Sequence, residues 1–264
     1  MRRLAISIKS SPDMKKKNNI FSIGKKYTKF LAVSCSHGKY IDADAKNSVI
    51  GMRDRWNPEL VIHLGDWCDT TAFRSGAKGT SDEIEPVVPD IDGGLQFLRE
   101  LRVTHALDGN HEHRIPLLMK SPNSIISYAA SQAQYHIDEE IKKIGARRIP
   151  YDGVFQQYKV GDCTFTHGTI YNENSARDMA EMYGGKVIFG HTHRAQTGEG
   201  RTIKESTGFC AGTLTRRGSQ EYSKCRRATL AWRQGLVFGE IGEKDSAVWL
   251  CTRGEFNHEW RLPV

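Results

Sequence analysis

Five short segments of this 264-residue chain combine glycine with groups able to bind a hard or borderline divalent cation. They are Cys35-Ser36-His37-Gly38, Gly65-Asp66-Trp67-Cys68-Asp69, Gly109-Asn110-His111-Glu112, His167-Gly168 and Gly190-His191-Thr192-His193. Imidazole and carboxylate ligands suit manganese, iron or zinc better than calcium. Gly-Asp or His-Gly alone means little; the ordered set is informative, because each segment follows a strand-like run. Strand ends are where an open α/β sheet presents its binding groups, and glycine lets the backbone turn sharply beside a ligand. Five such loops are expected to converge on one crevice.

In this order the segments resemble the calcineurin-like metallophosphoesterase family, whose pattern runs D-x-H, G-D-x-x-D, G-N-H-(D/E), H and G-H-x-H. Four blocks match, over roughly residues 30–195, and the first departs, with Cys35 where the family carries Asp. The resemblance implies a four-layer α/β/β/α sandwich with two mixed β-sheets and a metal site at the strand ends. It further implies two divalent metal ions, manganese, iron or zinc. One would take Cys35, His37, Asp66 and His193, and the other Asp66, Asn110, His167 and His191, so that Asp66 bridges. A shared carboxylate draws two cations to about 3.5–4 Å, where a bridging hydroxide can attack phosphorus while both ions neutralise oxygen charge. His111 is then the candidate general acid, with Asp69 orienting it and favouring its protonated form.

Cys35 leaves three readings open. A thiolate replaces the carboxylate as an anionic ligand and biases the site toward softer metals; the first site is weakly occupied; or the thiol is neutral and packed at a strand end. Other residues have plainer readings. His63 and His105 sit inside apolar runs and are expected to be satisfied core or edge histidines. Glu112 is expected beside the ligands, and His111-Glu112-His113 lacks the helical spacing of zincin proteases. Arg114, with His113, follows the Asn-His loop and is a candidate contact for substrate phosphate. His136 and His258 have no motif context.

The elements that must position these groups begin with β-α-β: strand-like Phe30–Ser34, a helix near 43–55, then Leu60–Leu64. A helix near 91–101 leads to Val103–Leu107, and a longer one is expected over 124–144. After Tyr151 come short strand-like runs at Phe155–Val160, Cys163–Thr166 and Lys186–Phe189, with a helix near 174–183. Thr229–Trp232, Leu236–Ile241 and Ala247–Cys251 follow, read as antiparallel strands of a second sheet. Trp232 and Phe238 are read as core of that sheet. The alternation predicts a layered α/β fold. Residues 1–27 are rich in lysine and arginine without apolar period and are read as a flexible basic arm, leaving 28–264 as one domain.

The chain carries 38% hydrophobic and 26% charged residues, an ordinary globular composition with no apolar run long enough to span a bilayer. The apolar stretch after Arg3 is too short for a secretory leader. Six scattered cysteines suit a reducing cytoplasm. A net charge of +7 favours a polyanionic partner, so nucleotides or nucleic acid are the expected phosphate-ester substrates. Arg216, Arg217, Lys224, Arg226 and Arg227 form a basic cluster, read as a solvated hairpin or a phosphate-tracking edge. Asp69 is followed by Thr70-Thr71 rather than the Arg-Gly of protein phosphatases, which disfavours a phosphoprotein substrate. The alternative function is a catalytically weak binding protein altered at Cys35.

Overall fold

The computed structural model describes residues 27–220, 227–254 and 259–260. The expected basic arm, Tyr27 apart, and Lys224, Arg226 and His258 lie outside them.

Two mixed sheets face each other. The first has the order β11-β10-β1-β2-β3-β4, built from β1 (Thr28–Val33), β2 (Leu60–His63), β3 (His105–Leu107), β4 (Arg147–Ile149), β10 (Gly235–Ile241) and β11 (Ala247–Thr252). Strands β1 to β4 are parallel, whereas β10 and β11 add antiparallel at one edge. The second has the order β5-β6-β7-β9-β8, from β5 (Tyr158–Val160), β6 (Cys163–Phe165), β7 (Gly185–Phe189), β8 (Ala195–Glu199) and β9 (Ser206–Ala211). Here β6, β7 and β9 are parallel.

The period-two alternation of side chains along β1 explains the layering. Phe30 and Ala32 enter an apolar layer between the sheets with Ile62, Phe165, Ile188 and Val237. Leu31 and Val33 face the other way, into a core shared with α1 (Ala43–Trp56), α2 (Val87–Glu100) and α4 (Ser124–Ile144). Helix α5 (Ser175–Tyr183) covers the second sheet through Ala176 and Met179 against Val187 and Phe189. The result is the expected α/β/β/α sandwich. A short α3 (Arg114–Leu118) precedes α4.

Local signals set the helix ends. Asp42 caps α1 by accepting from the Ala45 N–H at 3.0 Å, and Asn123 caps α4 through Ile125 and Ile126. Gly145, with φ 78°, ends α4 in the left-handed conformation.

Three expectations fail. Thr229–Trp232 is not a strand: Arg227–Ala231 forms a 3-10 turn. Strands β10 and β11 join the first sheet rather than the second, so Phe238 packs there against Trp56 and Trp249, at ring separations of 5.4 Å. Their alternation suits either sheet, and only the register with β1 decides. The run from Phe155 shortens to Tyr158–Val160, because Gly153–Phe155 turns and Phe155 is exposed.

Helix α2 approaches the Asp66 loop so closely that a Cβ on Gly94 would lie 2.5 Å from the Trp67 carbonyl oxygen. Helix propensity alone favours alanine there by about 1 kcal/mol. The clash reverses the sign: Gly94→Ala is expected to lower stability by about 1–3 kcal/mol in a denaturant titration, and a stabilised variant would show that the loop moves freely.

Candidate metal centre

All five segments emerge at the C-terminal ends of parallel strands: Cys35 and His37 after β1, Asp66 after β2, Asn110 and His111 after β3, His167 after β6, His191 and His193 after β7. Five of these residues hold a left-handed backbone that side chains avoid. Their φ values are 53° at Cys35, 51° at His37, 56° at Asp66, 69° at His191 and 58° at His193. Each costs on the order of 1–3 kcal/mol and persists only where the surroundings over-determine it. Such strain is concentrated on the candidate metal-ligating side chains.

The side chains form two clusters around one carboxylate. Cys35, His37, Asp66 and His193 bring one donor atom each to within 4.8 Å of one another, and Asp66, His167 and His191 do the same. Asn110 completes the second group, its Oδ1 lying 2.9 Å from His191 Nδ1 and 3.0 Å from His167 Nε2. The tautomers are set from outside. His37 Nδ1–H donates to the Asp69 carboxylate at 2.7 Å and His167 Nδ1–H to the Leu64 carbonyl at 2.9 Å. Both Nε2 atoms therefore turn inward, as in histidine ligands held by a carboxylate or carbonyl behind them. His37 Nε2 faces His193 Nε2 at 2.9 Å, and His193 Nδ1 is buried without a hydrogen-bond partner. Lone pairs brought this close, in buried rings, fit a cation between them.

The charge states agree. Burial opposes ionisation of Asp66, yet His111, His167 and His37 hold its carboxyl well below the usual range. Burial pushes His193 well down and His191 to about 4, so both are neutral and able to bind metal near pH 7. His167 is also desolvated, but Asp66, 3.3 Å away, raises it overall. Cys35 is fully buried within the first cluster, and burial, followed by the charge of Asp66, raises its thiol well above the ordinary value. A soft divalent ion would have to displace that proton to use the sulfur.

Around this centre His111 donates Nδ1–H to the Asp69 carbonyl at 2.6 Å, with the Asp69 carboxylate 3.3 Å from the same nitrogen. Its Nε2 lies 3.9 Å from Asp66 Oδ2. The Asp69 carboxyl is thus shared between His37 and His111, and although burial opposes it, they hold it ionised. Arg114 Nη1 donates to the Asp69 carbonyl at 2.7 Å, which puts the guanidinium beside His111. Glu112 is buried and accepts from the backbone N–H groups of Asp66, Cys68 and Gly109, pinning two loops together.

Four contributors had no motif to reveal them. Asp90, from α2, accepts from the N–H groups of Asp69 and Thr70. Gln220 donates to Asp69 Oδ1 at 3.4 Å, and Tyr151 packs against His167. Trp232, expected in a sheet core, instead stands 4.2 Å from the His193 ring. Of the histidines set aside, His105 stacks on Tyr158 and His136 pairs with Asp92 on the surface.

His63 is buried beneath the centre, accepting from the Gly65 N–H at Nδ1 and donating from Nε2 to Ser36 Oγ at 3.0 Å. That arrangement requires a neutral ring, and burial lowers its pKa to about 3. Between about 6.5 and these depressed values the unfolded chain binds protons that native His63, His191 and His193 refuse, so stability falls as pH drops. Glu112, raised by burial to about 7, has the opposite slope between 4.5 and 7, and Asp90 and Asp108, also raised by burial, oppose the histidines at the acid end of the range. For metal-free protein, urea midpoints are expected to fall from pH 6.5 to pH 4.5. His63→Asn should reduce that slope by up to about 1.4 kcal/mol per pH unit. An unchanged slope would show that His63 titrates normally.

A model of the calcineurin-like phosphoesterase family matches residues 28–195. The Gene 54 proteins of Mycobacterium phages D29 and L5 are 25% and 26% identical, each alignment covering 79% of this chain and 87% of the relative. Among solved structures, wild-type Vps29 of Entamoeba histolytica complexed with Zn2+ covers 88% of this chain and 96% of its own, at 13% identity and a TM-score of 0.41. Yfce, a phosphoesterase from E. coli, covers 83% of this chain and 96% of its own, at 15% identity and a TM-score of 0.37. With the ordered loops and the two-sheet sandwich, the family match over residues 28–195 settles the assignment: the chain belongs to the calcineurin-like phosphoesterase family.

Proposed function

We propose that this protein is a metal-dependent phosphoesterase that hydrolyses phosphodiester or phosphomonoester bonds of nucleotides or nucleic acid. The observation that carries the reading is the pair of donor clusters sharing Asp66, with His111 Nε2 3.9 Å from that carboxylate. A binding scaffold has no chemical need for a positioned proton donor beside a metal cage.

Cys35, His37, Asp66 and His193 would hold one divalent ion, and Asp66, Asn110, His167 and His191 a second. When bound, the ions supply an activated water and neutralise charge on the phosphoryl oxygens. The chain's own groups do the rest. Asp69 fixes the ring of His37 and, from 3.3 Å, balances positive charge on His111. His111, its Nδ1 proton committed to the Asp69 carbonyl, delivers a proton from Nε2 to the leaving oxygen. Arg114 neutralises a non-reacting oxygen of the substrate. The sulfur of Cys35 favours zinc or iron over manganese in the first position. Five free, buried cysteines among the described residues support a reducing, cytoplasmic setting. No described helix is long and apolar enough to cross a membrane.

Two measurements test this. His111→Ala should lower turnover of bis(p-nitrophenyl) phosphate by about 10²–10⁴-fold while metal content by elemental analysis is retained. Equal loss of both would remove the acid role, and absence of turnover in the native protein with zinc, iron or manganese would favour the binding-scaffold reading. Cys35→Asp should shift metal preference from zinc toward manganese in competition dialysis; an unshifted preference would mean that the sulfur is no ligand.

A further inference from the structure

A group of four arginines lies beside the donor clusters. A cavity of about 320 Å³ is lined by Arg216, Arg217, Arg233 and Arg253, with Trp232 and Thr213 in its wall. That wall is bonded to the candidate ligands themselves. Thr213 Oγ1 donates to the Cys35 carbonyl at 2.8 Å, the Arg233 N–H donates to the His193 carbonyl at 2.9 Å, and the Trp232 ring stands 4.2 Å from the His193 ring. Cavity and centre are neighbours that share a partition.

The charges are unequally answered. Arg253 is held by Asp42, Asp44 and Gln234, so its positive charge is compensated where it lies. Among the described residues Arg217 donates its guanidinium to the Leu230 carbonyl, an uncharged partner that fixes the group without neutralising it. Arg216 is exposed, and among the described residues neither it nor Arg217 has a carboxylate partner. Asp42, already engaged by Arg253 and by the α1 cap, is the one carboxylate among the described residues of the lining. Guanidinium groups left in this state, one of them prepositioned, match the bidentate geometry of phosphate.

We propose that this cavity is a second anion subsite, which takes a phosphate of the substrate adjacent to the bond that is cut. It rests on the hydrolytic reading and names the substrate class: a nucleic-acid strand, whose phosphates recur at fixed spacing, rather than an isolated phosphate ester. Trp232 separates the two phosphate positions and offers an aromatic surface to the intervening nucleoside.

The test compares a 5′-phosphorylated thymidine dinucleotide with its unphosphorylated form, using native protein and Arg216→Ala/Arg217→Ala. Native protein is expected to prefer the phosphorylated dinucleotide in kcat/KM by about tenfold or more, through KM, and the double variant to lose that preference. Equal kcat/KM for the two substrates in native protein, or a preference that survives in the variant, overturns the subsite. Calorimetric titration of metal-free protein with the phosphorylated dinucleotide separates this from the hydrolytic reading: binding weakened about tenfold in the variant supports the subsite even if native protein turns over nothing. No binding by native protein, or equal binding by the variant, overturns it. Both arginines are exposed, and an unchanged melting temperature identifies the variant as folded.

Discussion

A single buried carboxylate organises this protein. Asp66 lies at the end of β2 with a left-handed backbone, away from solvent, and three imidazoles from three other loops hold it ionised. Burying an anion is costly unless charge and hydrogen bonds surround it. The loops can surround it only because each leaves a parallel strand at the same end of the sandwich. Gly109 is part of that arrangement: a Cβ there would collide with Asp66 Oδ1 and approach its backbone nitrogen to 2.6 Å.

The supporting groups are as demanding as the cluster itself. Glu112 ties the Asp66 and Asn110 loops through three backbone N–H groups, and Asp90 reaches from α2 to hold Asp69 and Thr70. Asp69 then orients two histidines at once, one in the first donor cluster and one at its rim. Below them His63 and Ser36 form a neutral hydrogen-bonded layer. His37 and His167 are thereby presented with their proton-bearing Nδ1 atoms outward and their Nε2 atoms inward, an arrangement already set by the protein's own hydrogen bonds.

Cys35 shows how one substitution can change a site without dismantling it. Its backbone bonds to Gly65, Thr213 and Leu214 keep the position of the loop, so the sulfur stands in the donor cluster where the family has a carboxylate. The change concerns chemistry, softer and neutral until deprotonated, rather than geometry.

The ordered motifs that hold His37, Asp66, Asn110, His167, His191 and His193 were enough to show a resemblance to the family, with Cys35 as the one departure, and the loops could be placed because they follow strands whose apolar runs are local signals. Helix α4 was equally clear, from its apolar period and the glycine that stops it. The sequence by itself therefore determined the strand-end loops and the donor types they carry. Tertiary structure decided the rest. Strand β10 pairs with β1 across some 200 residues of chain and carries β11 on its outer edge, a choice made by backbone register that no local pattern records. The placing of Trp232 beside His193, of Asp90 behind Asp69 and of Arg216 and Arg217 around one cavity has the same origin. These contacts depend on how packed layers bring distant segments together, and a side chain's type alone does not state which neighbour packing will give it.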